Sequence, residues 1–204
     1  MSKYDKDYFL IVRDSNDERL PELAATDNTE NRQYRYERQP VGSAPLVFSN
    51  GWKEDNLKAK VKDTVADILF DGSNFMVRSP IRERLLAYDF PYLAIHPSIY
   101  IDDRDVRHED YWYLAFTQEF DCWDRTASSY NPKPIEIGGE KSYKVRSYSL
   151  DLKLFDKTPL EHRLLFRMGS TVDGKVFCHK TLAPIFRSGG SNGAMLKEIV
   201  RQGF

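Results

Sequence analysis

Apolar residues in this chain fall into short runs broken by Gly, Pro, Asn and Asp, which is strand spacing rather than long-helix spacing. Tyr8 to Val12 is the first run and reads as a strand. From Asp14 to Ser43 the composition turns polar, with Pro21, Asp27-Asn28, Pro40 and Gly42 as breakers. Residues 15–44 therefore read as a long surface connection, with a helical turn near Leu20 to Leu23. Pro45 to Phe48 is the next strand, and Asn50-Gly51 marks a turn.

Two later segments share one pattern of strand, Gly-Ser turn, strand and short helix. The first runs through Ile68-Leu69-Phe70, Gly72-Ser73 and Phe75-Met76-Val77 to Ser79-Pro80. Ser79 reads there as the N-cap and Pro80 as the first helical residue, with Ile81, Leu85 and Tyr88 on one face. The second runs through Leu164-Leu165-Phe166, Gly169-Ser170 and Val176-Phe177-Cys178 to a helix over Thr181 to Phe186, stopped by Gly189-Gly190. The pairing suggests an internal duplication. Between the two segments, Tyr92 to Ile101 and Tyr111 to Phe116 read as buried strands. Ile135 to Ile137 and Tyr143 to Tyr148 read as a hairpin around Gly138-Gly139, and residues 191–204 as a terminal helix or extension. The expected fold is a single α+β domain over 1–204, with a largely antiparallel sheet and two or three peripheral helices.

At 204 residues with 41% hydrophobic content the chain can build a real core, and its net charge of −1 gives no reason to expect nucleic acid or a membrane as partner. The charge is uneven. Between Ile101 and Asp124 eight acids face two bases, a local −6 that leaves +5 for the remainder. A field of that sign favours a basic partner surface. Two cysteines do not make a disulfide framework and are expected as buried free thiols. No secretory h-region or membrane-length apolar run is visible, so a cytoplasmic protein is expected.

The stretch from His108 to Asp124 is the richest in candidate chemistry. His108, Glu109 and Asp110 suggest a metal site, but consecutive strand residues alternate faces and do not converge on one ion. Cys122 has no histidine in a recognisable motif, and Asp121 and Asp124 disfavour its thiolate. Cys178 reads as a small core residue. The glycine pattern fits neither a phosphate loop nor a nucleophile elbow. No catalytic residue, metal or cofactor is expected. Tyr111, Trp112, Tyr113 and Phe116 read as core, whereas Tyr34, Tyr36, Trp52, Trp123 and Tyr130 stand in polar contexts where interface anchors occur.

The order of these features resembles an immunity-protein family of bacterial polymorphic-toxin systems, formerly a domain of unknown function. The matching residues are Asp67-Ile68-Leu69 with Gly72-Ser73, the helix after Ser79 and the strand from Pro97 to Asp102. They continue through His108-Glu109-Asp110-Tyr111-Trp112 with Leu114 and Phe116, then Asp121-Cys122-Trp123-Asp124. Arg163-Leu164-Leu165-Phe166-Arg167 and Phe177-Cys178-His179-Lys180 complete the match, which spans Val65 to Gly190. The polar N-terminal region and the tail after Gly190 lie outside it.

The resemblance implies a cytoplasmic protein that binds a cognate toxin and occludes it without catalysis. The toxin-binding candidates are Asp102, Asp103, Asp105, Glu109, Asp110, Trp123, Asp124, Tyr34 and Tyr36. Two alternatives stand beside it: a carboxylate-dependent hydrolase using Glu109, Asp110 and Asp121, and a scaffold or homo-oligomer subunit.

Overall fold

In the computed structural model, residues 2–187 and 192–199 are described. The strands are β1 (Tyr8–Arg13), β2 (Leu23–Ala25), β3 (Leu46–Asn50), β4 (Ile68–Asp71), β5 (Asn74–Arg78), β6 (Leu93–Ile101), β7 (Arg107–Phe116), β8 (Glu119–Phe120), β9 (Ser129–Tyr130), β10 (Ile135–Ile137), β11 (Glu140–Ser142), β12 (Val145–Ser147), β13 (Leu165–Met168), β14 (Val176–His179) and β15 (Ala194–Glu198). The helices are α1 (Asp27–Glu30), α2 (Lys53–Ala59), α3 (Ser79–Leu85), α4 (Leu152–Lys157) and α5 (Ala183–Phe186), with 3-10 turns at Lys3–Lys6 and Leu160–Arg163. The fold is α+β, as the apolar pattern predicts.

Two sheets carry it. One has the order β15-β1-β14-β13-β8 and the other β2-β3-β6-β7-β5-β4. Pairing is antiparallel in both except for β3 with β6 and β8 with β13. The period of two along each strand sorts side chains into three hydrophobic layers. On β7, Tyr111, Tyr113 and Ala115 point outward with Phe48 and Met76, while Leu114 and Phe116 point inward. On β14, Val176 and Cys178 point inward and Phe177 points outward with Phe166 and Trp123. The inward residues of both sheets share one layer, closed by Ile81 and Leu85 of α3 and Ile185 and Phe186 of α5.

The two similar segments become β4-β5-α3 and β13-β14-α5, which meet across this shared layer. Phe75 packs edge-on to Phe186 at 6.1 Å. Arg167 donates to Asn74 at 2.7 Å, and Ser73 in one turn donates to the carbonyl of Asp173 in the other.

Several local expectations are corrected. Arg78, not Ser79, is the N-cap of α3. The Ser79 hydroxyl is instead used across the sheet, accepting from the Trp112 indole at 3.0 Å and donating to the Asp110 carbonyl at 3.2 Å. The helical turn expected near Leu20 to Leu23 is replaced by β2, and a helix forms later as α1. Residues 15–44 are not only a surface connection, because Leu20, Leu23, Thr29 and Tyr34 are buried against the outer face of the second sheet. Gly138 and Gly139, both at positive φ, turn β10 into β11, whereas β12 pairs with β9. The described part of the terminal segment is a strand, with Ala194 to Glu198 zipped along the free edge of β1. Gly189 and Gly190 lie outside the described residues.

Candidate functional site

The acidic end of the central hairpin is built from the inside out. β6 and β7 reverse direction between Ile101 and Arg107, and Asp105 takes the left-handed conformation at φ 62°. Asp102, with its side chain fully buried, organises the reversal. Its Oδ1 accepts the backbone N–H groups of Arg104 and Val106, each at 2.9 Å. Its Oδ2 lies 3.1 Å from His108 Nε2 and 3.3 Å from the Arg104 guanidinium. An ionised carboxylate only accepts, so His108 donates from Nε2. Burial pulls the Asp102 pKa up, but the bonds from Val106, His108 and Arg104 outweigh it and hold the carboxyl below its usual range.

Asp103 is also buried. It accepts from Asn50 at 3.1 Å and from Asn56 at 2.9 Å, and its backbone N–H reaches Asp63 at 3.4 Å. Asp63 in turn accepts from the Tyr100 hydroxyl at 2.5 Å. Asn56 belongs to α2, so the same carboxylate that rests on β3 also holds the helix. Lys53 of α2 adds an ion pair to Asp105 at 2.5 Å. The helix is positioned by polar bonds to the turn, for α2 contains no buried residue.

What this scaffold displays is apolar. Trp52 is 53% exposed, Leu57 57%, Val61 39% and Val106 47%. Trp52 and Val106 are the chain neighbours of Lys53 and Asp105, so the ion pair brings them to the same region. Glu54, Asp55, Asp105 and Glu109 are exposed acids on the same elements. An exposed Trp on elements that also expose aliphatics and acids has the composition of an interface anchor.

The structure sorts the sequence candidates. Asp105, Glu109 and Tyr36 are exposed, and Asp110 and Asp124 are half-buried. Asp102 and Asp103 are removed from the surface because they fold the turn. Tyr34 is buried and donates to Asp71 at 3.2 Å, beside Tyr113 on the same carboxylate at 2.7 Å. Trp123 is buried too, its indole N–H on the Gly169 carbonyl at 3.2 Å and its face under Arg125 at 3.9 Å. Asp124 caps its own turn through the N–H groups of Thr126 and Ala127.

The local charge of −6 is also largely compensated. Lys53, Arg78, Arg125 and Arg167, all from outside the segment, pair with Asp105, Asp110, Asp121 and Glu119. Counting those four bases, the excess falls to about −2. The carboxylates proposed for hydrolysis are not brought together. Glu109 pairs with Arg107, Asp110 with Arg78, and Asp121 with Arg125 and the Ser170 hydroxyl. An aromatic cavity of about 250 Å³, lined by Phe90, Tyr92, Phe116, Phe120 and His162, includes none of the three. Both cysteines are free and buried, and burial pushes the Cys178 thiol up to about 12 and the Cys122 thiol well above its ordinary value.

Sequence reasoning singled out Trp52 but missed Asn50, Asn56, Asp63, Leu57, Val61 and Val106. The Asn50-Gly51 turn signal was the available hint, since it sets α2 beside the hairpin end. Comparison of the chain with protein-family models and with curated proteins finds no match.

Proposed function

We propose that this chain is a non-catalytic binding protein of the immunity type, which neutralises a cognate bacterial toxin by occluding it. The docking surface is α2 together with the β6–β7 turn. The observation that carries the reading is the helix itself. Its polar bonds to the body go to Asp103 and Asp105, and its one large apolar side chain, Leu57, is exposed. Large apolar side chains exposed on neighbouring elements and flanked by polar residues mark an interaction surface. Trp52, Leu57, Val61 and Val106 supply that surface, beside charges of both signs that pair locally, Asp105 with Lys53, Asp55 with Lys58 and Glu109 with Arg107.

The test is co-expression of the neighbouring gene's product with and without this chain in a sensitive host, followed by co-purification. Rescue of growth together with a stable complex is the expected result. Neither rescue nor complex overturns the reading. Charge reversal belongs at Asp105 and Glu109, where it slows association mainly at low salt. Reversal at Asp102 or Asp103 unfolds the turn instead and says nothing about docking.

A further inference from the structure

A different site lies at the other end of β6, roughly 20–25 Å along the strand from the acidic turn. A polar cavity of about 340 Å³ opens between the end of α3, the 86–93 loop, the start of β6 and residues 38–39. Arg38, Arg82 and His96 stand on its wall, Leu85, Leu93 and Phe90 provide apolar surface, and no Asp or Glu lines it. That is unusual in a chain whose arginines are widely paired with carboxylates.

The two arginines differ from those pairs. The Arg82 guanidinium lies 3.7 Å from the centre of the Trp112 ring. Its Nε is buried and has no hydrogen-bond partner among the described residues. Stacking accounts for where the group sits but uses only its face, and its in-plane N–H donors have no partner among the described residues. Trp112 is itself fixed by its bond to Ser79. Arg38 is exposed and has no carboxylate partner among the described residues. His96 accepts the Gln39 N–H at 3.4 Å. Burial lowers its pKa, a bond to the Glu37 backbone opposes this, and the charges of Arg32 and Arg38 lower it further. The two guanidiniums, without a carboxylate partner among the described residues, give this wall a positive field.

We propose that this cavity binds a small organic oxyanion, a carboxylate or phosphate monoester carried on an apolar ring or short alkyl stem. Arg82 and Arg38 grip the anionic group, and Leu85, Leu93 and Phe90 pack the stem. Guanidinium donors to an oxyanion are charge-assisted and bidentate, which suits a wall carrying two arginines with no carboxylate beside them.

The test is an NMR titration of the full-length, 15N-labelled chain with phenyl phosphate, phenylacetate, inorganic phosphate and benzylamine, following the Trp112 indole N–H and the Arg82 Nε–H. Phenyl phosphate or phenylacetate is expected to shift both signals saturably, the tighter of the two identifying the head group. Inorganic phosphate is expected to bind more weakly, and benzylamine not at all. Arg38→Gln, on an exposed side chain the fold does not need, is expected to weaken binding roughly tenfold. The proposal is overturned if neither organic anion shifts these signals up to its solubility limit, or if benzylamine shifts them equally. It is overturned as well if inorganic phosphate binds as tightly as the better organic anion, or if Arg38→Gln leaves the affinity unchanged.

Discussion

Replacing Asp102 by alanine removes the centre of the β6–β7 turn. Two backbone N–H groups, of Arg104 and Val106, lose their acceptor. Both residues are exposed, so water replaces part of what is lost and the cost is about 1 kcal/mol each rather than the full penalty of a buried orphan. The bond from half-buried His108 to an ionised acceptor adds about 1 kcal/mol, and that from the largely exposed Arg104 guanidinium adds little. The sum is roughly 3 kcal/mol for Asp102→Ala. Asp102→Asn keeps an oxygen for the backbone and loses the partners of Oδ2, roughly a third of it. For a chain of this size the alanine variant should melt about 6–12 °C lower.

Urea unfolding at several pH values is the assay. The folded-state pKa of Asp102 is depressed, so its stabilisation is complete above the unfolded-chain value of about 3.9 and is lost as pH falls through the folded value. The gap between the natural chain and Asp102→Asn should therefore hold steady from neutral pH to about 5 and close below about 4. An alanine variant within about 0.5 kcal/mol of the natural chain, in the range of an ordinary surface change, would refute the role given to Asp102. A gap that widens on acidification would do the same.

Three further outcomes are expected. Tyr113→Phe removes a buried hydroxyl donor to Asp71 and should cost about 2 kcal/mol in urea unfolding, with a cost below about 0.5 kcal/mol contradicting the network. Gly193→Ala should destabilise by about 3 kcal/mol in the same assay, because φ is +79° and a Cβ there overlaps the Ile68 carbonyl and the Ala66 side chain. A neutral result would show that the 192–193 segment does not pack against β4. Neither thiol should react with a disulfide reagent at pH 8 until urea unfolds the chain, since both are buried with raised pKa values; a thiol that titrates in the native state contradicts that burial.

The layers of this fold were legible where period two was strong. Tyr111 to Phe116, Phe75 to Val77 and Val176 to Cys178 alternate between two apolar faces, and the repeated strand-turn-strand-helix pattern marked the units that meet across the shared core. Short elements were not legible. α1 and α5 are single turns whose helicity comes from tertiary packing rather than from local propensity. The 194–198 strand has a spacing of apolar residues that suits a helix, and only the free edge of β1 decides it. The candidate site was half visible. Its charge stood in the sequence, but the ion pairs from Lys53, Arg78 and Arg167 join residues dozens of positions apart and could not be read from spacing. Tyr34 and Trp123 lie in polar stretches, yet a buried partner carbonyl or carboxylate draws each ring inward.

The docking role of α2 is tested most directly by calorimetric titration of the neighbouring gene's product into the natural chain and into a Trp52→Ala, Leu57→Ala double variant. Leu57 lies on a helix without buried residues and Trp52, the N-cap residue before it, is exposed, so the variant should unfold at the same urea concentration as the natural chain. Loss of these two exposed apolar side chains should raise Kd by at least about a hundredfold, roughly 3 kcal/mol. An equally stable variant that binds as tightly as the natural chain would contradict the assignment of this surface.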